Sequence, residues 1–181
     1  CANSAGVAGS LVSRWFSRAF AVAKRVRTET GVAAGHVSVS SIACDLAEKI
    51  FGELTDRRVL LVGAGKMSEV AARSLAARGA RLFVVNRSPE RAESLAKACG
   101  GTPRPLEALA TELSEADVVI SSTANPDFVI TYDLMQGVTK NRRHRPLFII
   151  DIAVPRDVDP RVGTLNNVFV YDMDDLKEVA Q

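Results

Sequence analysis

Two rhythms of apolar residues alternate along the chain. Short, almost unbroken apolar runs occupy residues 59–62, 82–85, 117–120, 147–150 and 168–171, the pattern of strands buried on both faces. Between them apolar positions fall three and four apart, as on a helix with one buried side. Such stretches cover residues 67–78, closed by Gly79, and 89–98, opened by Pro89 and closed by Gly100-Gly101, with proline at the start and glycine past the end, where each is tolerated best. Pro103 and Pro105 bound a short connection to a helix near 106–113, residues 127–136 are expected as a short helix, and Asp174-Asp175-Leu176 opens another. Strand and helix in alternation predict an α/β fold: a Rossmann-type, doubly wound, mostly parallel sheet with its ligand across the carboxyl ends of the strands.

Two helices precede that sheet. Residues 11–28 set Leu11, Trp15, Phe16, Ala19, Phe20, Ala23 and Val26 at helical spacing. Gly31 and Gly35 then break the chain, and Val37-Ser38-Val39-Ser40-Ser41 leads into a second helix, 42–51, stopped by Gly52. The aromatic stripe on the first helix needs an apolar partner, either the sheet unit or a domain beyond this chain.

The chemistry sits at strand ends. The first strand runs into Gly63-Ala64-Gly65, followed by Lys66, Met67 and Ser68. Gly63 permits the tight turn, and Gly65 lets the backbone approach a pyrophosphate lying on the amino terminus of the next helix. Ser68 stands where the G-x-G-x-x-G fingerprint has its third glycine, and serine is still small enough to keep helix and strand close.

The second strand ends in Asn86-Arg87-Ser88. NAD enzymes usually carry an acid about 20 residues past the glycines, which bonds the ribose 2′-hydroxyl and repels a 2′-phosphate. Here Asn86 is neutral, Arg87 offers a fork of donors and Ser88 a hydroxyl, so NADPH is expected over NADH. The plainer role for Asn86 and Ser88 is to form the turn and cap the next helix. Ser121-Ser122-Thr123 and Asp151-Ile152-Ala153 follow two further strands and are expected on the nicotinamide side of the same cofactor, although loop and cap chemistry alone also favours Ser and Thr.

Composition narrows the class without adding chemistry. The 181 residues suffice for one good core, and the net charge of +2 describes no nucleic-acid-binding polycation. No apolar stretch approaches the roughly 18 residues of a membrane span, and the opening residues, without a basic stretch before an apolar one, are not expected to act as a secretory signal. A chain beginning at Cys1 rather than Met is expected to be a piece of a longer one. Cys1, Cys44 and Cys99 lack metal-ligand spacing and read as reduced thiols, Cys44 in the core. His36 and His144 pair with no nucleophile. The basic runs Lys24-Arg25 with Arg27, and Lys140 with Arg142, Arg143 and Arg145, are expected to be solvated.

Taken in order, the segments 24–30, Val37-Ser38-Val39-Ser40-Ser41, Gly63-Ala64-Gly65-Lys66-Met67-Ser68, Val85-Asn86-Arg87-Ser88, Ser121-Ser122-Thr123, Asp151-Ile152-Ala153-Val154-Pro155-Arg156 and Tyr171-Asp172-Met173-Asp174-Asp175-Leu176 resemble the glutamyl-tRNA reductases. The resemblance runs over nearly the whole chain from Leu11. It implies NADPH as hydride donor, glutamyl-tRNA as substrate, glutamate-1-semialdehyde for tetrapyrrole synthesis as product, and a homodimer; the family allows a chloroplast setting, and with no transit peptide in view a cytoplasmic location is expected. It also implies a cysteine thiolate that forms a thioester before reduction.

The family's nucleophile motif is missing here: none of Cys1, Cys44 or Cys99 lies in a Ser-Thr-Cys-Asn-Arg segment. No residue of this chain is therefore assigned as catalytic or as a metal ligand. The resemblance divides the chain into 1–54, the last helices of a catalytic domain; 55–172, the NADP-binding Rossmann domain; and 173–181, the start of a helix toward a dimerisation domain. Such a fragment should bind NADPH without turnover and leave Trp15, Phe16 and Phe20 exposed. The alternatives are a shikimate-dehydrogenase-like NADP domain, which shares the glycine turn and the Asn-Arg-Ser pattern, and a non-catalytic NADP-binding module.

Overall fold

The computed structural model describes residues 39–179 together with Arg18 and Val22, both helical and exposed. The rest of the expected helix at 11–28, with its aromatic stripe, lies outside the described residues. The chain divides into two compact units, Cys1–Val37 and Ser38–Gln181, and the sheet lies wholly within the second.

Six strands form that sheet: β1 (Arg58–Val62), β2 (Arg81–Val85), β3 (Thr102–Arg104), β4 (Val118–Ser121), β5 (Leu147–Asp151) and β6 (Val168–Tyr171). All neighbours are parallel and the order is β3-β2-β1-β4-β5-β6. The winding reverses between β1 and β4, the switch point at which doubly wound sheets open a crevice. Helices α1 (Val39–Phe51), α2 (Lys66–Ala77), α3 (Pro89–Cys99), α4 (Leu109–Glu115), α5 (Tyr132–Asn141) and α6 (Met173–Val179) connect and cover it.

The unbroken apolar runs become strands because each feeds two cores in alternation. Val59 and Leu61 of β1, Leu82 and Val84 of β2 and Val118 and Ile120 of β4 pack with Cys44, Ala47, Ala71, Leu75 and Leu95. Leu60, Val62, Phe83, Val85 and Val119 turn the other way, toward Leu113, Met135 and Val138. Cys44 is fully buried against the Ala71 carbonyl, and burial pushes its thiol above the ordinary range. The capping signals also hold. Ser88 caps α3 and Gly100 ends it left-handed at φ 69°. Asp172 Oδ1 accepts the amides of Asp174 and Asp175 while Asp175 Oδ2 accepts that of Asp172, a reciprocal cap.

Three expectations need correction. Residues 102–104 are an edge strand on β2, not a plain connection, and Pro103 is tolerated because an edge position asks nothing of its missing N–H. The helix expected over 127–136 begins only at Tyr132. The preceding residues are drawn into extended pairing: the amides of Val129 and Ile130 donate to the Asp157 carbonyl at 2.7 and 2.9 Å, and Asp159 N–H donates to the Ile130 carbonyl.

The third correction concerns the basic run at 140–145, which is not uniformly solvated: Arg142 is 2% exposed. Its guanidinium donates to the carbonyls of Leu113 (2.6 Å), Ser114 (3.1 Å), Pro146 (2.7 Å) and Arg145 (3.3 Å). The first two belong to the last turn of α4, where the helix dipole also favours a cation. Burial lowers the Arg142 pKa to about 10, with Arg145 adding to the shift, so the group stays charged at neutral pH. Replacing it leaves several inward-facing carbonyls without donors. Arg142→Met is expected to cost about 2–4 kcal/mol in urea unfolding, whereas Arg143→Met, at an exposed neighbour, should shift the midpoint little.

Candidate functional site

Gly63 leaves β1 at φ 99°, a conformation closed to ordinary side chains. There is a second reason for glycine. A Cβ at this position would collide with the Ser122 carbonyl, so the turn after β1 and the loop after β4 touch backbone to backbone. Gly63 N–H donates to the Val85 carbonyl at 2.8 Å, which ties the same turn to the end of β2. Gly65 is the N-cap of α2 and supplies no capping side chain, leaving the first amides of that helix for a ligand. A Cβ on Gly65 would meet only the Ser122 carbonyl, at 3.9 Å, so the space on its outer side is open.

Asn86 joins this turn to the second strand end. Its Oδ1 accepts the Ala64 amide at 3.2 Å and its Nδ2 donates to the Ser88 carbonyl at 3.0 Å. Ser88 accepts the Arg91 amide at 3.4 Å and donates to Glu90 Oε2 at 2.7 Å, and that bond holds the Glu90 carboxyl below its ordinary range. The plainer reading of Asn86 and Ser88 as turn and cap residues is thus what their hydrogen bonds perform. Both still line the cleft.

That cleft has a volume of about 1080 Å³ and opens over the carboxyl ends of β1, β2 and β4. Of the residues expected from sequence, it gathers Gly63, Ala64, Gly65, Lys66, Met67, Asn86, Arg87, Ser88, Ser122 and Thr123. Lys66, Arg87 and Arg91 bring three exposed cations to its walls, and no Asp or Glu lines it. Among the described residues, none of the three cations is paired with a carboxylate. Leu106, Leu109 and Val129 add an apolar wall. Arg91 was missed in the sequence, though its place in the first turn of the helix that follows Arg87 and Ser88 is a usable signal.

Five expected residues lie outside the cleft. Ser68 is fully buried behind the glycine turn, its hydroxyl without a partner. Ser121 is equally buried and donates to Asp157 Oδ2 at 2.7 Å. Ile152 and Ala153 are 4% exposed. Asp151 accepts the amides of Ala153 (3.1 Å), Asp157 (3.0 Å) and Val158 (3.0 Å). Burial, helped by the nearby Asp157 charge, pushes the Asp151 carboxyl up against the pull of those three donors.

Asp157 itself had no sequence signal. Fully buried, it also accepts the Thr123 amide at 2.7 Å and the Thr123 hydroxyl, so it positions the loop that forms one wall of the cleft.

A glycine turn at the switch point of a parallel sheet, opening into a cation-lined cleft, defines a dinucleotide-binding domain of the dehydrogenase class. The chain belongs to the shikimate/quinate 5-dehydrogenase family, which it matches over residues 45–179. It is 52% identical over 99% of its length to the glutamyl-tRNA reductase of Sorangium cellulosum, of which it spans 34%. Among solved structures it is similar to glutamyl-tRNA reductase from Methanopyrus kandleri, at 41% identity and a TM-score of 0.74, over 97% of this chain and 44% of that one. The nucleotide-binding domain of glutamyl-tRNA reductase from Thermoplasma volcanium shares the fold, with a TM-score of 0.61 at 20% identity over 81% of this chain and 93% of that one. The resemblance read from the motifs therefore extends over nearly the whole chain, which spans between 34% and 43% of the curated relatives it matches.

Two substitutions probe the geometry. Gly63→Ala should abolish dinucleotide binding in calorimetric titration, because the new methyl group and the Ser122 carbonyl cannot both stay in place. Asp157→Asn turns an amide donor toward groups that already donate. It should lower unfolding stability by about 1–3 kcal/mol and weaken dinucleotide binding several-fold.

Proposed function

We propose that this chain is the NADPH-binding part of a glutamyl-tRNA reductase, an oxidoreductase that reduces glutamyl-tRNA to glutamate-1-semialdehyde for tetrapyrrole synthesis. The observation that carries the choice of nucleotide is the charge of the cleft: Lys66, Arg87 and Arg91 without a lining carboxylate. A 2′-phosphate gains charge-assisted hydrogen bonds in such a place, whereas NAD would find no acid to hold its ribose hydroxyl. The open space outside Gly65 and the uncapped start of α2 fit a pyrophosphate.

NADPH supplies the hydride. The residues of this chain bind and orient it: the glycine turn takes the pyrophosphate, Arg87, Arg91 and Ser88 take the 2′-phosphate, and Ser122 and Thr123, held by Asp157, border the nicotinamide end. To donate to a 2′-phosphate, the Ser88 hydroxyl would give up its bond to Glu90. Asp151, Ile152 and Ala153 act beneath that end by fixing the loop rather than by touching the cofactor.

The thiolate chemistry belongs to the remainder of the enzyme, which we infer to be a cytoplasmic homodimer. The fragment alone should bind the dinucleotide without turnover. The shikimate-dehydrogenase-like alternative draws on the same family match over residues 45–179. The similarity of residues outside that range to glutamyl-tRNA reductases favours the first reading.

Calorimetric titration should give NADPH a tighter dissociation constant than NADH by tenfold or more. Arg87→Ala should weaken NADPH by about 10- to 100-fold, the loss of one or two charged hydrogen bonds, and leave NADH within about twofold. Equal affinities in the wild type would overturn the assignment of NADPH.

A further inference from the structure

A second cavity lies at the other end of the sheet. It has a volume of about 320 Å³ and is bordered by Lys140, Arg143, His144, Arg145, Asn166 and Asn167, with buried Arg142 behind them. These residues sit where the chain enters β5 and β6. The dinucleotide cleft opens where strands end, so the length of a strand, about 16 Å, separates the two. The second cavity therefore cannot be a subsite of the first.

Its charge is one-sided. No Asp or Glu borders it. Arg145 donates to the Ser114 carbonyl at 2.8 Å. Among the described residues the side chains of Lys140, Arg143 and His144 make no hydrogen bond or ion pair. All three are exposed. Arg78, by contrast, pairs with Asp45 and Glu48, and Arg156 with Asp172.

The display is also held in place. Arg143 and His144 adopt left-handed conformations, φ 48° and 65°, and Asn167 across the cavity does the same at 60°. Such conformations come readily to Asn but are unfavourable for Arg and His, which need support from the surrounding structure. Arg142 anchors the loop from below through four carbonyls, fixing the backbone from which the free cations project.

We propose that this pocket holds phosphodiester groups of an RNA backbone, the tRNA of the substrate. The proposal rests on the glutamyl-tRNA reductase reading for the identity of the RNA. Cations without carboxylate partners, carried on an anchored loop and accompanied by amide side chains, match the phosphate contacts that position a nucleic acid without reading its sequence. A net charge of +2 conceals the feature, because the acids are placed elsewhere.

The test is a fluorescence anisotropy titration of unacylated glutamate tRNA with the chain, at several salt concentrations. It compares the wild type, Lys140→Gln/Arg143→Gln, and a control Lys49→Gln/Lys97→Gln with the same charge change elsewhere. The pocket variant should bind at least about fivefold more weakly, with the salt slope reduced by about 2, one for each lost phosphate contact; the control should follow the wild type. NADPH binding of all three proteins is measured in parallel and should be equal.

No RNA binding, or equal loss in the control, overturns the proposal. So does competition by millimolar inorganic phosphate at constant ionic strength that displaces RNA from the wild type completely, since that marks a small-anion site. Intact NADPH binding without pocket-dependent RNA binding refutes this inference alone. The converse refutes the cofactor assignment alone.

Discussion

The contact between Gly63 and the Ser122 carbonyl is the constraint on which the site depends. It falls between β1 and β4, where the sheet reverses its winding, and it brings two loops together that then diverge. Space for a ligand arises because α2 departs to one face and the loop after β4 leads to the other. A side chain at Gly63 would force the loops apart at their root, moving the glycine turn and the wall formed by Ser122 and Thr123 at the same time. The two strands are also fixed in parallel register from Val59 with Val118 to Val62 with Ser121, so neither loop can shift without disturbing pairs in the centre of the sheet.

Two buried carboxylates hold the far wall. Asp151 gathers three backbone amides from residues 153–158, and Asp157 gathers Ser121 at the end of β4 and Thr123 in the loop after it. Burying an acid costs several kcal/mol unless its oxygens are bonded. These two are bonded mostly by amides that would themselves lack partners in so tight a loop. The donors explain why both acids are tolerated, and the acids explain why the loop has one shape. This is support from beneath the cleft, and it accounts for the first half of the motif at residues 151–156, where Asp151, Ile152 and Ala153 are buried while Val154, Pro155 and Arg156 are exposed.

Much of this was legible in the sequence, for identifiable reasons. Strands such as 59–62 and 82–85 are apolar at every position because both faces are covered, and their shortness between turn residues sets them apart from a buried helix. Gly63 and Gly65 announced the turn, and the missing acid at Asn86 announced the charge of the cleft. What was hidden is non-local. Residues 127–131 follow helical spacing, yet their backbone pairs with 157–159, and nothing within the segment reports that partner. Thr102–Arg104 contains a proline that argues against a strand until its edge position is known. Asp157 is one acid in a polar loop, and only the fold brings it to Ser121 and Thr123.

Arg142 and its neighbours carry the same lesson for charge. Along the chain, Arg142, Arg143 and Arg145 are equivalent members of a basic run. In the fold Arg142 is an internal donor that closes the end of α4, and its bonds are what allow Arg143 and His144 to stand in conformations an unsupported loop would leave. One cation is spent on structure so that its neighbours need not be. The same division appears at the dinucleotide cleft, where Asn86, a neutral side chain, secures the turn and leaves Arg87 and Arg91 unpaired at the wall. At both ends of the sheet, then, the groups that fix the backbone are distinct from the charges left facing outward. That separation lets a nearly neutral chain present two basic surfaces a strand length apart.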